Sequence, residues 1–217
     1  MKTIHLVSDI GQKGVVASIL KQYNVKNPVR VCRPGGKVAL DDGDVPVVWH
    51  GGDTGSTLLF YYLCKTVPGD LYEVDYTHAD QYAETGYSLV AIGEKAVWKS
   101  RIGEHPSLVS AQMKRDAAAQ WGRLCQEPAK PLILMDEDGV IRNYPKEYLD
   151  DWLFEIVHAA LRQNPKVAVP HVVGLALGSI PSPNVNVVGT TFFEKRLSFL
   201  SRSGRLVIED GYIFECR

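Results

Sequence analysis

The sequence predicts an α/β fold, in which a mainly parallel sheet with flanking helices, of Rossmann-like type, is followed by a small helical, winged-helix-like unit. Two observations predict the sheet. Short apolar runs alternate with segments whose apolar residues recur at helical spacing, and continuous apolar strands are typical of a parallel sheet covered on both faces. A third observation predicts the second unit, because three helical patterns precede a tight hairpin near the end of the sequence.

The first unit, residues 1–143, follows this alternation throughout. Its predicted strands lie at residues 4–7, 28–32, 45–49, 71–76 and 88–92. Its predicted helices are centred on residues 15–20, 58–63 and 110–124. Residues 132–135 and 140–141 flank an Asp138-Gly139 turn, which predicts a β-hairpin. We place the boundary between the two units directly after this hairpin.

The second unit, residues 144–217, has a different pattern. Pro145 is a residue type favoured at the start of a helix, and Tyr148 and Trp152 follow on one helix face. The remaining predicted elements are a helix at 167–177, a helix at 186–201 that ends at Gly204, and a hairpin of residues 206–208 and 212–214. Helices followed by a two-stranded wing are typical of winged-helix domains.

Several segments resemble two bacterial families that are known as domain-of-unknown-function families 1835 and 3658. The first unit resembles family 1835 at Ser8-Asp9, Val47–His50, Leu71–Asp75, Trp121–Leu124 and Pro131–Leu134. The second unit resembles family 3658 at Tyr148–Asp151, Phe193–Leu197 and Gly204–Leu206. The resemblance implies the two-part architecture and implies no particular reaction.

Composition narrows the class of protein. The chain has 217 residues, of which 45% are hydrophobic and 23% charged, and this balance is typical of a globular protein. Its net charge of −1 disfavours a dedicated nucleic-acid binder, which is usually strongly basic. Four scattered cysteines without a Cys-x-x-Cys pair indicate free thiols. We found no signal-peptide pattern and no apolar run of membrane-spanning length, so we expect a cytoplasmic protein without membrane contact.

The strongest candidate ligand loop runs from His50 to Ser56, between a predicted strand and a predicted helix. Its candidate binding residues are His50, Gly51, Gly52, Asp53, Thr54 and Ser56. Glycines allow a ligand to approach the backbone, and a helix N-terminus favours an anion. The loop lacks the lysine and the glycine spacing of a P-loop. The alternative interpretation is a tight turn in which Asp53 or Thr54 caps the helix.

A second candidate loop contains Ser8, Asp9 and Gly11 and follows the first predicted strand. Its alternative interpretation is again a helix cap. In an open parallel sheet the two loops would lie at the same edge. We therefore expect a small anionic ligand, of nucleotide or phosphate type, between them. Neither a cofactor nor a metal is assigned, and the residues leave open whether the protein is an enzyme or a homo-oligomer.

The other hypothesis is a non-enzymatic regulatory or protein-interaction module that acts through the second unit. Its third helix would correspond to a recognition helix, and Lys195, Arg196 and Arg202 would be its DNA or partner contacts. His78 and Asp80, which follow a predicted strand, are weaker candidates for the first site. The acidic stretch from Asp41 to Asp44 lacks the spacing of a calcium loop and is interpreted as solvated.

Overall fold

The computed structural model describes residues 2–22, 25–51, 53–76, 106–127, 132–136, 138–180, 184 and 188–214. Its strands are β1 (Lys2–Val7), β2 (Val29–Val31), β3 (Asp44–His50), β4 (Tyr72–Asp75), β5 (Ser107–Leu108), β6 (Leu132–Met135), β7 (Ile141–Tyr144), β8 (Lys166–Ala168), β9 (Val207–Glu209) and β10 (Tyr212–Phe214). Its helices are α1 (Ile10–Gln22), α2 (Thr54–Thr66), α3 (Ala111–Gln126), the 3-10 turn Lys146–Leu149, α4 (Asp150–Gln163), α5 (Val169–Ser179) and α6 (Thr190–Arg202).

The largest sheet has the strand order β2-β1-β3-β4-β5. The pairings of β1 with β2, β1 with β3 and β3 with β4 are parallel, whereas β5 runs antiparallel to β4. The prediction of an α/β fold with a mainly parallel sheet is therefore confirmed. The strand predicted at residues 88–92 lies outside the described residues.

Helices cover both faces of this sheet because consecutive strand residues point to opposite sides. Ile4 and Leu6 of β1 face α2 and α3 and belong to one buried cluster. Val7 faces the other side and packs with Trp49 and with the apolar face of α1. Burial on both faces explains why these strands are continuous apolar runs in the sequence.

The second unit has its own core, built around α4, α5 and α6. Its fully buried members include Leu153, Val157, Phe193, Leu197 and Leu200. The strands β8, β10 and β9 form a three-stranded antiparallel sheet in that order. Along the chain the elements run α4-β8-α5-α6-β9-β10.

One element of the second unit differs from the prediction. A helix was expected over residues 167–177, but Lys166–Ala168 form the strand β8 and the helix begins only at Val169. Pro170 is tolerated in the first turn of a helix and not deeper within it, so the helix starts close to it. The strand itself depends on pairing with Tyr212–Phe214, far along the chain, which local spacing does not indicate.

Two turns in this unit agree with the predicted chemistry. Gly204 follows α6 at φ 77°, and the amide of Arg205 donates to Leu200 O, which completes a Schellman motif. Asp210 and Gly211 join β9 to β10 with φ values of 49° and 79°. A two-residue turn with both φ values positive matches the right-handed twist of a hairpin.

The β6–β7 hairpin packs against both cores. Leu132 and Leu134 are buried in the core of the second unit. Ile141 is buried against Leu58 of α2 and Leu124 of α3. The hairpin therefore connects the two units, and a boundary directly after it remains a prediction. In the part of the chain that the structure describes, no helix combines the length and apolar character needed to cross a membrane.

Candidate functional site

The two loops singled out in the sequence meet at the carboxyl edge of the sheet. After β1 the chain passes to β2 on one side, and it returns to β3 on the other side of β1. The loops after β1 and β3 therefore lie above neighbouring strands, at the point where the strand order reverses, and we refer to the place where they meet as the crevice. Ligands of open α/β sheets bind in such crevices.

The loop after β3 is organised by Asp53. This residue is the N-cap of α2, and its Oδ1 accepts a hydrogen bond of 2.9 Å from the Ser56 backbone N–H. The Ser56 hydroxyl donates to Asp53 Oδ2 at 2.7 Å. Asp53 is 4% exposed and Ser56 is fully buried. One free amide in the first turn of α2, that of Ser56, is thus occupied by the chain's own carboxylate.

The loop after β1 is organised in a similar way by Asp9. Its Oδ1 accepts a hydrogen bond of 2.9 Å from the Gln12 backbone N–H, in the first turn of α1. Gln12 Oε1 in turn accepts hydrogen bonds from the Ser8 hydroxyl at 2.8 Å and the Ser8 amide at 3.0 Å. Asp9 and Ser8 are half-buried, whereas Gln12 is fully buried.

Direct contacts join the two loops. The Gln12 side-chain amide lies 3.4 Å from Asp53 Oδ2, and the Tyr76 hydroxyl donates to the same oxygen at 2.9 Å. A Cβ added at Gly55 would lie 3.5 Å from Ser8 Oγ, so the first turn of α2 sits against the other loop. The structure thus brings together Ser8, Asp9, Asp53 and Ser56 of the two candidate loops.

The electrostatics of the crevice are dominated by its two carboxylates. Burial raises the pKa of Asp53, the Ser56 amide and hydroxyl hold it down, and the nearby Asp9 carboxylate adds to the increase. Burial and the Asp53 charge together raise the pKa of Tyr76 well above its ordinary value. Tyr76 is therefore a neutral donor to Asp53 at physiological pH.

Thr54 connects the crevice to the second unit through Asn184. The Thr54 hydroxyl donates to Asn184 Oδ1 at 2.7 Å, and the Met135 amide donates to the same oxygen at 2.8 Å. Asn184 Nδ2 donates to Met135 O at 2.9 Å. Asn184 is 6% exposed, so one buried amide group links the start of α2 to the β6–β7 hairpin.

His50 is engaged elsewhere. Its Nε2 lies 2.7 Å from Glu73 Oε2, and its ring stacks on Phe60 of α2 with centroids 4.0 Å apart. Both His50 and Glu73 are buried. No hydrogen bond joins His50 to Asp53 among the described residues. His50 and Glu73 therefore form a buried histidine–carboxylate pair that packs against α2.

Two of the remaining candidate residues, Gly11 and Gly51, lie among the described residues. Gly11 lies in the first turn of α1, and Gly51 adopts φ 152° directly after β3. Gly52, His78 and Asp80 lie outside the described residues. Within the described ranges, no group of three or more histidine, cysteine or acidic side chains is arranged to hold a metal ion.

The basic residues expected to contact DNA or a partner do not share one role. Arg196 is 5% exposed and forms a two-pronged pair with Asp150, with Nε 2.8 Å from Oδ1. Its guanidinium is held inside the fold and cannot contact DNA from this position, so the prediction of Arg196 as a contact residue is wrong. Lys195 and Arg202 are exposed on α6, one turn to either side of Phe199.

Sequence reasoning missed Gln12, Tyr76, Glu73 and Asn184. Gln12 was detectable, because an aspartate followed three residues later by glutamine is close to the capping-box spacing. Tyr76 stands at the carboxyl end of a predicted strand, where site residues are expected. No local signal identifies Asn184 or Glu73, since both acquire their partners through the tertiary fold.

Comparison with protein-family models, curated proteins and solved structures gave no match for this chain.

Proposed function

We propose that this chain binds a small, hydroxyl-bearing ligand of nucleotide type in the crevice between the loops after β1 and β3. The observation that carries the proposal is a hydrogen-bond network. It joins Asp53, Tyr76 and Gln12 at the point where the strand order reverses. A network whose members hold each other in place is preorganised, and preorganised residues are what a binding site requires.

The hydrogen bonds of the two loops argue against a bare phosphate, which the expectation of an anionic ligand had included. Of the first-turn backbone amides that could bind a bare phosphate, those of Gln12 and Ser56 already donate to Asp9 and Asp53. A phosphate between two carboxylates would also be repelled. The half-buried Asp9 carboxylate can instead accept hydrogen bonds from hydroxyl groups, such as those of a ribose. The negatively charged part of a nucleotide would then point away from Asp9 and Asp53.

The rim of the crevice has a polar side and an apolar side. Ser8 and Asp9 are half-buried and face solvent in part, so a ligand would meet them before the buried Asp53. Ile10 follows directly and is 82% exposed. An exposed apolar side chain beside hydroxyl and carboxylate groups suits a nucleoside, which combines a flat base with a polyhydroxyl sugar.

Calorimetric titration with AMP, adenosine and inorganic phosphate tests this proposal. We expect AMP and adenosine to bind with similar affinity and phosphate alone not to bind. Asp9→Asn keeps a good helix cap but removes the carboxylate charge, so it should weaken AMP binding by about tenfold. The matched control is Asp42→Asn, since Asp42 is an exposed aspartate in another loop. Phosphate binding as tightly as AMP, or full affinity in Asp9→Asn, would refute the proposal.

The arrangement of the second unit favours a second candidate function, in which the unit acts as a winged-helix interaction module. The element order α4-β8-α5-α6-β9-β10 and the sheet order β8-β10-β9 support that interpretation. Lys195, Phe199 and Arg202 lie on one exposed face of α6, where a recognition helix would contact a partner. Reversing both charges, with Lys195→Glu and Arg202→Glu, should abolish salt-dependent binding to duplex DNA. If wild-type protein shows no such binding, the DNA version of this candidate is wrong.

We also propose that the first unit is Rossmann-like, because helices cover both faces of its parallel sheet. The relationship to families 1835 and 3658 also remains a proposal.

A further inference from the structure

A cavity of about 380 Å³ lies between α1 and the segment that leads into β2. Residues 13, 17, 20 and 21 of α1 form one wall, and their spacing places them on a single helix face. Residues 25–27 and 29 form the opposite wall. Its volume is within the range of small-molecule sites, which begins at about 300 Å³.

The charged groups at this cavity all have the same sign. Lys13, Lys21 and Lys26 line it, and each is exposed. No acidic residue is among the described residues that line it. In the part of the chain that the structure describes, no ion pair or side-chain hydrogen bond engages any of these three ammonium groups. In a protein of net charge −1, this is a local excess of uncompensated positive charge.

The interior of the cavity is apolar. Leu20 is 4% exposed and packs in the core beneath α1, and Val29 of β2 packs against the same core. Val25 and Ala17 also line the cavity, and Asn27 adds one amide group. Apolar walls with a few polar groups at the edge are the usual composition of a ligand pocket.

We propose that this cavity is a second binding site, for a small molecule with an apolar or aromatic body and a phosphate, sulfonate or carboxylate group. The body would fill the space between Leu20 and Val29, and the anionic group would lie among the three lysines. Lysine is a compact cationic partner for such groups. The site goes beyond the proposed nucleotide crevice and uses none of its binding residues.

A pair of fluorescent probes separates the two contributions. Anilinonaphthalene sulfonate carries an aromatic body and an anionic group, whereas N-phenyl-1-naphthylamine carries the same ring system without the charge. We expect one sulfonate site per chain, with an affinity at least about tenfold higher than that of the neutral probe at low salt. At about 1 M salt the Debye length falls to about 3 Å, so the difference should largely disappear.

Two sets of variants locate the probe. Ala17→Trp should fill the cavity and prevent sulfonate binding, whereas Ser18→Trp, at the next exposed position of α1, should not. Lys21→Gln combined with Lys26→Gln should reduce the preference for the charged probe by about tenfold. Lys65→Gln combined with Lys37→Gln, at exposed lysines elsewhere, should leave it unchanged. Circular dichroism verifies that each variant is folded.

Three results would overturn the proposal: no sulfonate binding to the wild type, equal affinity for both probes, or unchanged binding in Ala17→Trp. The nucleotide test relies on Asp9 and on different ligands. Each proposal can therefore fail without the other.

Discussion

His5 provides a pH-dependent contribution to stability that can be predicted in detail. It lies in β1, an interior strand of the sheet, and is 3% exposed. Its Nδ1 accepts a hydrogen bond of 3.0 Å from Trp49 Nε1–H, so the ring proton of the neutral histidine is on Nε2. Nε2 is buried and has no hydrogen-bond partner among the described residues. A second proton would have to displace the Trp49 hydrogen bond and place a charge in the core.

Burial lowers the pKa of His5 from 6.5 to about 4. Below pH 6.5 the unfolded chain therefore binds a proton at this position that the folded chain does not bind. The contribution of neutral His5 to stability is complete above pH 6.5 and is lost as the pH falls towards about 4. Since one pKa unit corresponds to about 1.4 kcal/mol, His5 should account for a loss of about 3 kcal/mol.

Urea unfolding followed by tryptophan fluorescence measures this effect directly. The free energy of unfolding is determined at several pH values between about 7 and 4 for the wild type and His5→Asn. Asparagine retains an acceptor for Trp49 Nε1–H but does not titrate. His5→Asn will be less stable at neutral pH, but its stability should fall by about 3 kcal/mol less on acidification.

His171 supplies the matched control, because it is an exposed histidine on α5. His171→Asn should retain the pH dependence of the wild type. If His5→Asn loses as much stability on acidification as the wild type, the burial argument for His5 is wrong. The same conclusion follows if His171→Asn alone removes the dependence.

Three further predictions concern other buried groups. Arg196→Met should lower the free energy of unfolding by about 3–5 kcal/mol, because it leaves Asp150 buried and unpaired. Adding Asp150→Leu should restore most of this stability. A double variant in which the losses of the two single variants simply add would contradict this prediction. Asp53→Ala should lower the free energy of unfolding by about 2–4 kcal/mol, because it removes the cap of α2 and the acceptor for the groups that donate to Asp53. Asp53→Asn should lower it less. Equal losses for the two variants in urea unfolding would argue against these contacts. Iodoacetamide should modify the exposed Cys125 in the folded protein and should not modify Cys64, because burial raises the pKa of Cys64 to about 12. Equal modification of the two cysteines in peptide mass mapping would contradict this prediction.

Local patterns were sufficient for most of the sheet and its helices. β1 and β3 were predictable because strands buried on both faces leave continuous apolar runs, such as Val45 to Trp49. The turns at Gly204 and at Asp210-Gly211 were predictable because their backbone conformations favour glycine or aspartate. Pairings between distant segments were not predictable in this way. β8 forms only because β10 lies beside it.

The candidate site was predictable in position and not in chemistry. Asp9 and Asp53 were identified from their place after apolar strands, and the structure brings their loops together. Their chemistry depends on partners that lie far away in the sequence, such as Tyr76 and Asn184. Arg196 shows the same limit, since its charge indicates a surface contact until Asp150 is known to lie opposite it.

The proposed function requires that the loops after β1 and β3 form one ligand site. Backbone amide NMR spectra recorded during titration with AMP test it most directly. We expect residues 9–12 and 53–56 to shift together, with one common dissociation constant, and Asp9→Asn to weaken both responses equally. No shift in either loop, or shifts confined to residues 17–29 around the lysine-lined cavity, would contradict the claim.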